Sequence, residues 1–197
     1  MRIEYRTIKS GPLIYYTKVV EEDLLKIEKL CNRNKQNDFR HKLAGILEQE
    51  FSIDNTKIDT ILNPYLQVFT QAHENWYGEK NNFNLKCTSA WVNYMYKGDS
   101  NPLHVHLECS FSSVLFLQFP NEIIEEQKQF KGSATKPGNL SFVFNNHLPF
   151  HINYYEHTPS RGDFFMFPAN VYHQVPSFHT DCERISVACN FLKEIKK

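Results

Sequence analysis

Asn101-Pro102-Leu103-His104-Val105-His106-Leu107-Glu108-Cys109 carries a polar side chain able to bind a metal at every second position from His104 onward. In an extended strand, residues two apart project from the same face. His104 and His106 can therefore converge on one ion, and imidazole suits iron, zinc, copper and nickel. Glu108 continues that face, so His106-x-Glu108 is a competing pair. Read alone, the pattern fits two polar residues on a half-exposed strand better than a metal site.

Outward from this segment the pattern is that of a sheet. From about residue 84, short runs rich in Val, Phe, Tyr and Leu alternate with Gly, Pro, Asn and Asp. They place strands at 86–96, 103–107, 112–118, 139–144, 149–155, 163–167, 172–176 and 184–192. Short, regularly spaced strands imply a sandwich or barrel. The polar segment 121–138, with Gly132, Pro137 and Gly138, reads as a loop with at most one helical turn, placed to cover a site.

The amino-terminal part has a different period. Leu24, Ile27 and Cys31 fall at helical spacing behind acidic Glu21, Glu22 and Asp23, which suit a helix amino terminus. Leu43, Ile46, Leu47 and Phe51 repeat that spacing, and Ile58, Ile61, Leu62, Tyr65, Leu66, Phe69 and Trp76 share a third face. Pro64 predicts a kink or a new helix start, and Gly78 a stop. Such amphipathic helices need a surface to cover, so they are expected to pack on one outer face of the sheet. The 197 residues form one expected domain, with 1–83 as mainly helical support and 84–192 as the β core.

Composition narrows the function. Lys+Arg and Asp+Glu are equal at 22 each, so nucleic acid has no global electrostatic pull toward the chain. No run of eighteen apolar residues predicts a membrane span. The five cysteines include no Cys-x-x-Cys, which argues against a disulfide framework or structural zinc and fits a cytoplasmic protein.

A metal site needs a third ligand. His173 has the best context, in Gly162-Asp163-Phe164-Phe165-Met166-Phe167-Pro168-Ala169-Asn170-Val171-Tyr172-His173-Gln174-Val175-Pro176, where one strand ends at Pro168 and His173 begins the next. A buried histidine bonded to a carbonyl is the plainer reading. His179 reads as exposed, His41 and His73 as solvated on helices, and His147, His151 and His157 as loop residues. Eleven residues after His173, Arg184 and Ser186 share a strand face. An arginine aimed into a barrel is costly unless an anion meets it, and its fork matches a carboxylate. A surface arginine paired with Asp181 or Glu183 is the alternative.

The ordered set Trp91-x-Asn93, Gly98, Asn101, His104-x-His106, Phe111-Ser112, Gly162-Asp163, Phe167-Pro168, His173-x-Val175, Arg184-x-Ser186 and Asn190 resembles the 2-oxoglutarate/iron(II) oxygenases, prolyl-hydroxylase-like proteins of bacteria and phages. The resemblance covers about residues 84–192. It implies an α+β chain built on a double-stranded β-helix (a jelly-roll, cupin-like barrel) with the helical layer outside. It implies a dioxygenase, an oxidoreductase hydroxylating a substrate with release of succinate and carbon dioxide. Iron(II) falls to His104, His106 and His173, with Glu108 as the alternative to His106. The cosubstrate 2-oxoglutarate falls to Arg184 and Ser186, with Tyr96 and Asn93 on the strand before the ligand pair. The sequence departs from most such oxygenases in placing His106 where they carry a carboxylate, and in Ser113 where relatives commonly carry glycine. The implied partner is a small-molecule or protein side-chain substrate, in a cytoplasm (a host's if phage-encoded), with no membrane. The oligomeric state stays open, a homodimer included. Competing classes are a cupin-like metalloprotein that does not use 2-oxoglutarate and a metal-free binding or structural module.

Overall fold

The computed structural model describes residues 11–80, 82–144 and 153–196. In chain order the elements are β1 (Tyr15–Lys18), α1 (Glu21–Glu28), β2 (Gln49–Ser52), α2 (Asn55–Tyr77), β3 (Phe83–Met95), β4 (Asn101–His104), β5 (Phe111–Gln118), α3 (Asn121–Gln129), β6 (Leu140–Val143), β7 (Tyr154–His157), β8 (Asp163–Pro168), β9 (Tyr172–Val175) and β10 (Arg184–Ile195). The fold is mostly β, in two sheets. One has the order β1-β8-β5-β10-β3-β2 and the other β4-β9-β6-β7. The ladders within them are antiparallel.

Alternation along the strands separates two cores. Tyr15, Val92, Tyr94, Leu115, Phe164 and Val187 face one way and share a core with Leu24 and Ile27 of α1 and Ile58, Leu62, Leu66 and Phe69 of α2. Met95, Phe116, Phe165 and Phe167 face the other way and meet Leu140, Phe142 and Val175 of the smaller sheet. A strand with both faces buried reads as a near-continuous apolar run. That is the pattern of β8, Asp163-Phe164-Phe165-Met166-Phe167-Pro168.

α2 starts where the Asp54 side chain accepts from the Thr56 and Lys57 N–H groups, and ends at Gly78 in the left-handed region (φ 75°). It runs through Pro64 without a new start. Pro64 lies on the exposed side, where water can meet the carbonyl that loses its donor.

The helical reading of 43–51 does not hold. Ile46 bridges to Ser100, and β2 pairs with the edge of β3, with Phe51 opposite Val92. Phe51 enters the core shared with the helices, while Glu50, one residue away, enters the space between the sheets. Segment 121–138 also differs: its first half is α3, which buries Ile123 in the core between the sheets, and Gln127 donates to the Pro137 carbonyl and to Asn139 Oδ1. None of its residues lines the cavity described below. His147 and His151, and most of the strand expected at 149–155, lie outside the described residues. His73 packs against Phe69, Tyr77, Phe83 and Phe111 rather than standing in solvent.

Candidate metal centre

β4 and β9 pair so that His104 stands opposite His173. Strand β4 ends at His104. His106 lies just beyond it, held by a backbone hydrogen bond from its N–H to the Ala169 carbonyl at 2.9 Å. The three rings close on one point. Ring centroids are 4.2 Å apart for His104–His173 and 5.0 Å for His106–His173, and the Nε2 atoms of His106 and His173 are 3.2 Å apart. One nitrogen from each residue falls within 4.8 Å of the other two.

The far side of two rings is tied to the backbone. His104 Nδ1 lies 2.7 Å from the Pro102 carbonyl and His173 Nδ1 lies 3.0 Å from the Val171 carbonyl. A carbonyl accepts only, so each Nδ1 carries the proton and each Nε2 presents a lone pair. Burial lowers the His104 pKa. Burial, reinforced by His104, lowers that of His106 to about 4. Burial and then the two neighbouring imidazoles hold His173 well below the usual range. All three rings are therefore neutral near pH 7, the state a metal ligand requires. Three nitrogens on one face of an octahedral ion stand about 3 Å apart at ordinary metal–nitrogen distances, close to the 3.2 Å already present. The donor set fits a divalent transition metal.

Glu108 is not brought into this group. It is exposed, with φ at 60°, and among the described residues the cluster contains no carboxylate. It lines the same cavity farther from the rings, which lies between the sheets and has a volume of about 670 Å³.

On the opposite wall, from β10 and β3, stand Arg184, Ser186, Asn93 and Trp91. Arg184 is 1% exposed and has no ion pair among the described residues. Its Nε donates to the Gly138 carbonyl at 3.1 Å, its Nη1 approaches Ser186 Oγ at 3.5 Å, and its guanidinium lies over the Phe116 ring. Its Nη2 has no partner among the described residues. Burial without a counter-charge lowers its pKa to about 9. Neither Asp181 nor Glu183 meets it; Glu183 pairs with Arg33 at 2.6 Å. Asn93 donates to Ser186 Oγ and leaves its own Oδ1 without a partner. The wall therefore presents one unmet cationic donor, Arg184 Nη2, and one unmet acceptor, Asn93 Oδ1, among the described residues.

Tyr96 is a correction. On β3, Trp91, Asn93 and Met95 face the space between the sheets, so Tyr94 and Tyr96 face away. The Tyr96 hydroxyl donates to Glu183 and accepts from Arg33 Nη1 at 2.7 Å, and it does not line the cavity. Glu50 is the residue that sequence reasoning missed. It is 1% exposed and lines the cavity, with Oε2 unpartnered.

Residues 89–190 match the family model described as 2OG-Fe(II) oxygenase. No curated protein matches the chain. Solved structures share its fold. An oxidoreductase of the 2OG-Fe(II) oxygenase family from Burkholderia pseudomallei is 15% identical, with 91% of this chain and 84% of that chain covered and a TM-score of 0.56. A prolyl-4-hydroxylase from Pseudomonas putida is 12% identical, with 93% and 92% covered and a TM-score of 0.56. The viral collagen prolyl hydroxylase of Paramecium Bursaria Chlorella virus-1, in its 2OG complex, is 8% identical, with 92% and 96% covered and a TM-score of 0.55.

Proposed function

We propose, from the premise that this chain belongs to the 2OG-Fe(II) oxygenase family, that His104, His106 and His173 hold its iron and that Arg184, with Ser186 positioned by the Asn93 amide, receives the far carboxylate of its 2-oxoglutarate. The protein is a 2-oxoglutarate-dependent oxygenase that uses Fe(II). When bound, the metal and cosubstrate supply the oxidative decarboxylation to succinate and carbon dioxide and the hydroxylation of a substrate. The chain supplies position and electrostatics. The carbonyls of Pro102 and Val171 orient two imidazoles, and burial keeps all three neutral. The Arg184 fork orients the dicarboxylate, and the aromatic core behind it (Phe116, Phe142, Phe167) excludes water.

The observation that carries this reading is Arg184: buried, without an acidic partner, and in the same cavity as the three histidines. A cupin-like site without 2-oxoglutarate gives no reason to bury it. The two sheets and the family support a double-stranded β-helix, or jelly-roll, in a single domain, with α1 and α2 as a layer on its outer face. No helix among the described residues is long and apolar enough to cross a membrane. We place the enzyme in a cytoplasm, acting on a small molecule or a protein side chain.

Thermal denaturation tests the assignment. Mn(II) or Fe(II) is expected to raise the melting temperature, and 2-oxoglutarate to raise it further only when metal is present. Arg184→Met removes the second increment and keeps the first. A wild-type protein with no 2-oxoglutarate increment contradicts the proposal.

A further inference from the structure

Glu50 has no role in the reading above. It lies on the edge strand β2, opposite Asn93 in register, and its side chain lines the cavity of the three histidines. Its packing is tight: a Cβ added to Gly45 would stand 2.7 Å from Glu50 Oε1, so the carboxyl lies directly against the passing backbone. Oε2 is buried and unpartnered, and so is Oδ1 of the facing Asn93. Asn93 spends its N–H on Ser186, which leaves its oxygen as an acceptor. Two adjacent buried acceptors on a cavity wall lack donors, and natural interiors rarely leave such atoms unmet.

The surroundings specify the kind of donor. The charged groups facing Glu50 are Arg40, Asp99 and Asp38. Arg40 is taken up by Asp38, which it meets at 2.6 Å, and the charge of Asp99 is set against that of Lys42 on the cavity rim, so the local surroundings leave the Glu50 carboxyl without a cation of its own. Two aromatic rings, Phe39 and Trp91, line the same part of the cavity with centroids 6.0 Å apart. The ammonium of rim residue Lys42 lies 5.4 Å from the Phe39 centroid, so an incoming cation displaces it there or takes the Trp91 face. Carboxylate, amide oxygen and aromatic faces together make a site for an organic cation.

We infer that Glu50 and Asn93, flanked by Phe39 and Trp91, form the substrate-recognition subsite of this cavity and take the ammonium or guanidinium group of a basic substrate. This rests on the oxygenase reading for the word substrate, and it divides the wall by charge. Arg184 faces the anionic cosubstrate. Glu50, two strands away on the same sheet, faces the cationic group. Burial pushes the Glu50 carboxyl up to about 7, so an incoming cation shifts it toward its ionised form at neutral pH.

The test uses full-length protein with Fe(II) and 2-oxoglutarate under anaerobic conditions. Hexylammonium and hexylguanidinium are titrated against 1-hexanol and hexanoate, with binding followed by ligand-observed NMR. Both cations are expected to bind about tenfold or more tightly than hexanol, and Glu50→Gln to remove that advantage. Equal binding of cations and hexanol overturns the inference, as does an advantage that survives Glu50→Gln. Should Glu50→Gln fail to fold, the wild-type protein decides: from about pH 8 to about pH 6 the cations must weaken while hexanol does not, because Arg40, Asp38 and Asp99 keep their charges over that range. The visible band of the iron–2-oxoglutarate complex, recorded on the same samples, separates the two claims. A band without cation preference sinks this inference alone, and cation preference without a band sinks the oxygenase reading.

Discussion

The two faces of the six-stranded sheet are built on opposite terms. The face under α1 and α2 is apolar: Phe69 is fully buried and meets Tyr15 and Phe111 edge-on at 5.6 and 5.1 Å. On the opposite face, away from the cavity near the β1 edge, even a buried charge is fully met. Asp163 is 1% exposed and accepts from Tyr16, His157 and the Ser160 N–H, with Lys18 at 3.1 Å. Around the cavity that same face instead leaves Arg184 Nη2, Asn93 Oδ1 and Glu50 Oε2 buried with nothing to bond among the described residues. The first face contributes stability. The second forgoes some of it, and the atoms left unmet mark where ligands belong.

If that division is right, substitutions on the first face, or at Asp163 away from the cavity, change stability and spare the site, and those around the cavity do the reverse. The largest expected effect is at Phe69. Phe69→Ala should cost about 3–5 kcal/mol in chemical denaturation, through lost burial and a cavity, while metal affinity of the folded fraction stays unchanged. Asp163→Asn comes next, at about 2 kcal/mol, because it weakens several hydrogen bonds to a buried carboxylate. Burial pushes the Asp163 carboxyl up, but His157, Ser160, Tyr16 and Lys18 more than offset this, and it titrates below the usual aspartate range. Its contribution is therefore fully present above about pH 4 and is lost as pH falls through the lowered folded-state value. Wild type should lose stability on acidification faster than Asp163→Asn, and parallel pH profiles would show the carboxylate to be idle.

The site face should behave in the opposite sense. Arg184→Met removes a buried charge with no counter-ion, so the unliganded protein is expected to be unchanged or more stable by about 1 kcal/mol. A loss of several kcal/mol would instead make Arg184 a structural residue. The smallest expected effect on stability is at His173. His173→Ala should move the metal-free protein by about 1 kcal/mol or less, yet reduce metal affinity about 100-fold or more, read by competition with a chelator.

Much of this was legible because strands alternate. The period-two pattern in 84–192 marked the strands, and the resemblance carried by the order of His104, His106, His173 and Arg184 implied that they share one site. What it could not give was which parity faces inward. Tyr94 and Tyr96 satisfy the alternation as well as Trp91 and Asn93 do, and only the packing of α1 and α2 on the other face decides between them. Glu50 was hidden by a period error. Leu43, Ile46, Leu47 and Phe51 fit a helix, and short apolar runs do not separate helix from strand. The exposed edge of β3 settled that competition by pairing with β2, a tertiary effect that local spacing does not contain. His106 was read correctly as near His104 but for an incomplete reason. The strand ends at His104, and the hydrogen bond to Ala169 turns His106 back toward the other rings.

The central claim is that one cavity, with histidines on one wall and an unpaired arginine on the other, binds iron and 2-oxoglutarate together. An anaerobic absorbance titration tests it directly. Wild-type protein with Fe(II) should develop a weak visible charge-transfer band as 2-oxoglutarate is added, and Arg184→Met should bind Fe(II) but give no band at the same concentrations. A wild-type protein that binds Fe(II) yet stays colourless with saturating 2-oxoglutarate would contradict the account.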